Sequence, residues 1–172
     1  MTIIGIDPGK AGGIAVMDAG VASVYKMPTK VSELAALVRR FENPIIFVER
    51  LSARPTDLVG GKMFGIKKML ANFEQIKAAL EVSDIPYVLT HPQRWQNHLG
   101  FPKGVGEKAE RKKMFQSWAA AQYPYIKVTL WNADALCIMT FGMQAVQKEL
   151  RWVLSQLPLV QRNRLINQDY VK

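Results

Sequence analysis

The sequence predicts an α/β fold, a five-stranded mixed sheet flanked by helices, and three observations carry that expectation. Three strand-like runs come first, at residues 2–7, 12–18 and 22–27, separated by gaps too short for a crossover. Two more, at 44–49 and 86–90, each follow a stretch of helical spacing, which favours parallel pairing. The other long segments repeat apolar residues every three or four positions, the period of an amphipathic helix. At 172 residues, 49% hydrophobic and 22% charged, the chain can bury one full core. It reads as one domain over 1–157 with a polar tail at 158–172.

Each element has its own warrant. Thr2-Ile3-Ile4-Gly5-Ile6-Asp7 is apolar between its ends, as a buried strand is, and Pro8-Gly9 stops it. The tight Ala19-Gly20 turn joins the next two strands, so the chain begins antiparallel. Thr29 is expected to cap a helix over 31–41, in which Leu34, Leu37 and Val38 have helical spacing. The strand at 44–49 is rich in β-branched residues. Beyond a loop at 51–61, Met63, Ile66, Leu70, Phe73, Ile76 and Leu80 mark a long helix over 62–83. A strand at 86–90 and a short helix at 92–98 follow. A glycine- and lysine-rich loop at 100–108 then leads to helices over 109–123 and 132–154. Three antiparallel strands followed by α-β-α-β-α is the order of a ribonuclease H-like fold.

Charge narrows the function. Lys and Arg number 23 against 14 Asp and Glu, a net charge of +9 with pI about 9.8, which favours a polyanionic partner. Cys137 is the only cysteine, which excludes an intrachain disulfide and a cysteine-based zinc site. Its apolar setting reads as core in a reducing compartment. No apolar run approaches the roughly 20 residues of a membrane span. The first strand begins at once, leaving no room for a signal peptide, so a cytoplasmic location is expected.

Three acids stand where charge is expensive. Asp7 ends the first strand, Glu49 ends Ile45-Ile46-Phe47-Val48, and Asp134 lies within Ala133-Asp134-Ala135-Leu136. Desolvating a carboxylate is costly unless something compensates it, and a divalent cation compensates three together. Each acid alone has a plainer explanation. Asp-Pro-Gly is a common turn, Glu49 can pair with Arg50 on a surface, and Asp134 can be a partly exposed helix position. If the first and fourth strands are parallel neighbours, Asp7 and Glu49 end at one sheet edge, and the last helix can bring Asp134 to them.

Ile4-Gly5-Ile6-Asp7-Pro8-Gly9, Phe47-Val48-Glu49 and Ala133-Asp134-Ala135-Leu136, in that order, resemble the RuvC family of Holliday junction resolvases, with the shorter phage-type members closest. The resemblance covers about 150 residues of the chain. It implies a homodimer that cuts four-way DNA junctions symmetrically, using two Mg²⁺ or Mn²⁺ ions per active site. By that match Asp7 would bridge the metals, Glu49 would hold one and orient water, and Asp134 would hold the other. The sequence departs from the family one turn before the helix aspartate, where members carry an acid or histidine. Trp131 stands there, and Asn132 beside it is only a weak neutral substitute. Members also carry an aromatic shortly after the strand-end glutamate that wedges the junction; here Leu51, Ser52 and Ala53 follow, so by the resemblance that role is absent or moves elsewhere, with Phe64 a candidate.

The basic residues have a favoured partner. Lys103, Lys108, Arg111, Lys112 and Lys113 cluster on a loop and the first turns of the helix whose apolar face is Met114, Phe115, Trp118 and Ala121. Cations at a helix start oppose its dipole, so phosphate binding explains them better than stability. The resemblance places a lysine near the scissile phosphate; Lys112 matches best, then Lys108. Lys10 and Arg94 are further phosphate contacts in this reading, and His91 and His98 are structural. Gly61 and Gly65 at i, i+4 spacing would suit a dimer contact or close packing on the sheet. A broader fork or flap nuclease, a junction-binding protein of weakened catalysis, and an enzyme for RNA–DNA hybrids are the alternatives.

Overall fold

The structure is a computed structural model and describes residues 1–51, 63–104, 107–159 and 161–162. Its five strands are β1 (Thr2–Asp7), β2 (Gly13–Asp18), β3 (Val21–Lys26), β4 (Pro44–Glu49) and β5 (Tyr87–Thr90). They form one sheet in the order β3-β2-β1-β4-β5. β1 pairs antiparallel with β2, and β2 with β3, while β1–β4 and β4–β5 are parallel. The predicted five-stranded mixed sheet is therefore the observed one.

Side-chain alternation divides the core in two. Ile4, Ile6, Ile46 and Val48 face one side, under α1 (Val31–Val38) and α2 (Met63–Val82). Ile3, Ile45 and Phe47 face the other, under α4 (Lys108–Gln122), α5 (Ala133–Lys148) and α6 (Leu150–Ser155). The short α3 (Pro92–His98) adds the fully buried Trp95 to that second side. Cys137 lies there too, buried as expected.

Glycine sets how closely α5 approaches the sheet. A Cβ on Gly5 would stand 2.3 Å from the Met139 nitrogen and 2.4 Å from the Ala135 oxygen. The helix backbone thus rests directly on the centre of β1, which fixes its first turn relative to the end of that strand.

Four expectations need correction. The helix predicted over 31–41 ends at Val38, and Thr29 does not cap it; Lys30 occupies the N-cap, where its N–H donates to Glu33 Oε2 at 3.4 Å. On α4 the buried small residue is Ala119, while Ala121 is exposed. The last helix is broken, because Glu149 leaves helical dihedrals (φ −128°, ψ 35°) between α5 and α6. There its carboxylate is held by Arg94 and, at 3.3 Å, by His98 Nδ1. Gly65 meets no atom within 4 Å of an added Cβ, so its smallness serves no packing among the described residues. Gly61, Val105, Gly106 and most of the predicted tail (163–172) lie outside the described residues.

Candidate active site

The parallel β1–β4 pairing carries Asp7 and Glu49 to the same sheet edge. The close seat of α5 on β1 sets Asp134, in that helix's first turn, beside the same edge, where the helix dipole favours a carboxylate. All three are largely withdrawn from water: Glu49 is 9% and Asp134 4% exposed, and the Asp7 side chain 13%. A fourth charge joins them. The Lys112 ammonium, one turn into α4, lies 2.5 Å from Asp134 Oδ2 and 4.0 Å from Asp7 Oδ2.

Residues around the acids fix their geometry. Gly9, at φ +121°, donates its N–H to Asn72 Oδ1 at 2.8 Å, and Gly12 donates to the Gly9 carbonyl at 2.9 Å. The turn after Asp7 is thereby closed and tied to α2. The buried indole of Trp95 donates to Glu49 Oε1 at 3.0 Å. Neither Asn72 nor Trp95 was identified from sequence, since nothing local marks a helix residue as facing a particular strand end.

The site holds its charges at a cost. Burial, then the charges of Asp134 and Glu49, push the Asp7 carboxyl well above the ordinary range, with Lys112 and Lys108 opposing. Burial also raises Glu49, to about 7, against the Trp95 hydrogen bond, and the Asp134 charge adds to the rise. Burial would lower Lys112, but Asp134 and Asp7 outweigh it and the ammonium is held above its usual range.

A stability profile follows. Between the unfolded value of 4.5 and about 7, folded Glu49 keeps a proton that the unfolded chain has released. Rising pH through that window therefore favours unfolding, by on the order of 3 kcal/mol from this group when complete. Asp7 acts in the same direction. Lys112, being raised, keeps its contribution throughout and loses it only at alkaline pH. In EDTA the melting temperature should fall between about pH 5 and pH 8, and Mg²⁺ should restore it at the upper end. A profile flat or rising across that window would contradict the burial of these acids as charges.

The donor set fits a hard divalent cation, since it is all carboxylate oxygen. Among the described residues Asp134 Oδ1 is buried and accepts no hydrogen bond, the mark of an oxygen awaiting a partner. Among the described residues no three His, Cys, Asp or Glu side chains are arranged so that together they could hold a metal ion; Lys112 stands among the acids instead.

The acids open into a cleft of about 1020 Å³. Lys10, Lys108, Arg111 and Lys112 line it, as does Lys68 from α2, which sequence reasoning missed. Lys103 and Lys113 are exposed but do not line it. Arg94 does not either: its guanidinium pairs with Glu149 and stacks 3.6 Å from the Trp152 ring centroid, a structural tie from α3 to the α5–α6 break. Asn132 is also occupied, accepting from the Thr129 N–H at 2.7 Å and donating to the Lys127 carbonyl at 3.2 Å, so it supplies no ligand. Phe64 is 69% exposed, with Lys68 Nζ 4.5 Å from its ring centroid.

No family model matches the chain, and no curated protein does. Solved structures are similar, two of RuvC among them. One is the RuvC of T. thermophilus in complex with a Holliday junction substrate, at 15% identity and TM-score 0.57, covering 86% of this chain and 95% of that one. The other is a Thermus thermophilus RuvC structure, at 15% identity and TM-score 0.54, covering 91% and 98%. At that identity the likeness shows the fold, a RuvC-like arrangement of the ribonuclease H-like class. No described helix is long and apolar enough to cross a membrane.

Proposed function

We propose that the protein is a metal-dependent, structure-selective endonuclease that resolves four-way DNA junctions by symmetric phosphodiester hydrolysis. One observation carries the reading: three largely buried acids from β1, β4 and α5 line one cleft together with Lys10, Lys68, Lys108 and Arg111. The acids suit a divalent ion and the walls suit phosphates. The motifs favour the shorter, phage-type RuvC members.

Asp7, Glu49 and Asp134 would hold Mg²⁺ or Mn²⁺. A divalent ion bound there polarises the phosphodiester and lowers the pKa of a bound water. Asp7 is fixed by its closed turn and Glu49 by Trp95, so neither acid must reorganise as charge develops. Lys112 lines the cleft, which supports a role in steadying charge on the scissile phosphate. Two copies across a two-fold would match a two-fold substrate. A dimer contact through the start of α2, where an added Gly65 Cβ would meet no described atom within 4 Å, would supply that pairing.

Synthetic four-way junctions, forks, flaps and RNA–DNA hybrids, offered with Mg²⁺, Mn²⁺ or no metal, test the reading. Paired nicks on opposite strands of the junction, dependent on metal, are the expected products. Equal cutting of forks and flaps would widen the substrate class. Binding without cutting in every metal would overturn the nuclease. Junction affinity should also fall steeply with salt. Four cleft cations contacting phosphates give a log–log slope of about −3 to −4 per protomer. A flat salt response in a binding titration would remove the phosphate contacts from the account.

A further inference from the structure

The cations of the cleft are not spread evenly around the acids. Lys10 follows β1, Lys68 stands on α2, and Lys108, Arg111 and Lys112 stand on α4. The side that continues from Glu49 is different. Glu49 and Thr90 are register partners at the ends of β4 and β5, and the Arg50 N–H donates to the Thr90 carbonyl at 2.8 Å. Leu51 and Pro92 lie two residues beyond those partners, and Gln96 lies one helical turn after Pro92. All three line the cleft, and none is charged. Such a surface offers a phosphate no compensating charge. It suits a nucleobase, which is flat, apolar on its faces and polar at its edge.

Gln96 supplies what an edge needs. Its amide sets a donor and an acceptor side by side, the pattern by which glutamine pairs with a base. Thr29, Asn72 and Gln96 are the neutral hydrogen-bonding side chains that line the cleft among the described residues. The Thr29 hydroxyl donates to Glu33 Oε2 at 3.5 Å, and Asn72 Oδ1 accepts the Gly9 N–H. The Gln96 amide has no hydrogen bond among the described residues. Its backbone is nonetheless held. Trp95 beside it is fully buried, with its ring centroid 5.0 Å from that of Phe115 and its indole on Glu49. The Gln96 carbonyl accepts the Phe101 N–H at 2.9 Å. α3 thus ties that amide to the position of Glu49.

We propose that Leu51, Pro92 and Gln96 form a nucleobase subsite beside the scissile phosphate. There the Gln96 amide hydrogen-bonds the edge of the base, and so selects where in a junction the protein cuts. The proposal rests on the nuclease reading and adds a sequence preference to its structural one. The cations bind every junction alike, since phosphates carry no sequence, and Gln96 decides which base lies best beside Glu49. Unpaired or poorly stacked bases are the cheapest to draw out, so a branch point fills the subsite at low cost.

Four-way junctions that differ only in the bases at and beside the crossover provide the test. Cleavage in Mg²⁺ and binding in Ca²⁺ are measured for wild type and Gln96→Ala, with circular dichroism to confirm that the variant is folded. Wild type should cut the best junction about tenfold or more faster than the worst. Gln96→Ala should lose about tenfold on the best junction and little on the worst, so that the preference collapses. The salt slope of binding should be that of wild type, because no cation has been removed. An equal fall on every junction would make Gln96 a backbone contact or a structural residue and overturn the subsite. So would a wild type indifferent to the base, or a preference that survives the substitution. In each of those cases metal-dependent cutting still stands. A folded wild type that cuts no junction removes the nuclease reading, and this proposal with it.

Discussion

Asp7→Asn should abolish junction cleavage while leaving junction binding in Ca²⁺ and the fold intact. Asp7 feels every other charge of the site: Lys112 stands at 4.0 Å, and both Asp134 and Glu49 act on its ionisation. The amide has the same shape but presents one neutral oxygen, so it holds a hard cation poorly. A loss of at least about a thousandfold in cleavage rate is expected, roughly 4 kcal/mol of transition-state stabilisation. Stability should move the other way. The raised ionisation of Asp7 means that its folded charged form is costly, so a neutral residue at about pH 8 relieves that cost in EDTA and the melting temperature should rise. A site selected for chemistry commonly shows this opposition between activity and stability. A variant that cuts at near wild-type rate would end the assignment of Asp7, and one that fails to fold would show the residue to be structural.

The second large effect lies outside the chemistry. Gly5→Ala should destabilise the protein by about 3 kcal/mol or more. The added methyl would stand 2.3 Å from the Met139 nitrogen and 2.4 Å from the Ala135 oxygen, and both are backbone atoms of a buried helix that cannot rotate aside. Either α5 lifts from the sheet or β1 bows. Both movements displace Asp134 from Asp7, so cleavage should fall further than the folded fraction alone accounts for. Thermal unfolding together with cleavage at a temperature where the variant stays folded separates the two effects. Wild-type melting would show that α5 does not rest on β1 as described.

Much of the fold is local in origin and was legible for that reason. The five strands are apolar runs bounded by Pro, Gly and Asp, and their alternation between the two core faces is a consequence of the pleat. Hydrophobic period and turn chemistry act over a few residues, so they can be read from one chain. The α5–α6 break could not be, because its cause is a clamp on Glu149 by Arg94 and His98, some 55 and 51 residues earlier. The capping of α1 was misread by one residue because Thr29 and Lys30 compete for the same glutamate, whose oxygen lies 3.5 Å from the Thr29 hydroxyl.

The site divides along the same line. By itself the sequence determined which residues carry charge at the ends of apolar strands, since a carboxylate there must be compensated wherever the chain folds. Tertiary structure alone decided what compensates it. Trp95 reaches Glu49, Asn72 closes the turn after Asp7 and Arg94 turns to Glu149, each across more than 40 residues of chain, while Lys68 joins the cleft wall. Such pairings depend on helix register against the sheet, which no short window of sequence contains. Lys112 spans both parts: its charge was readable at the start of α4, and its seat among the acids follows from the packing of α4 on α5.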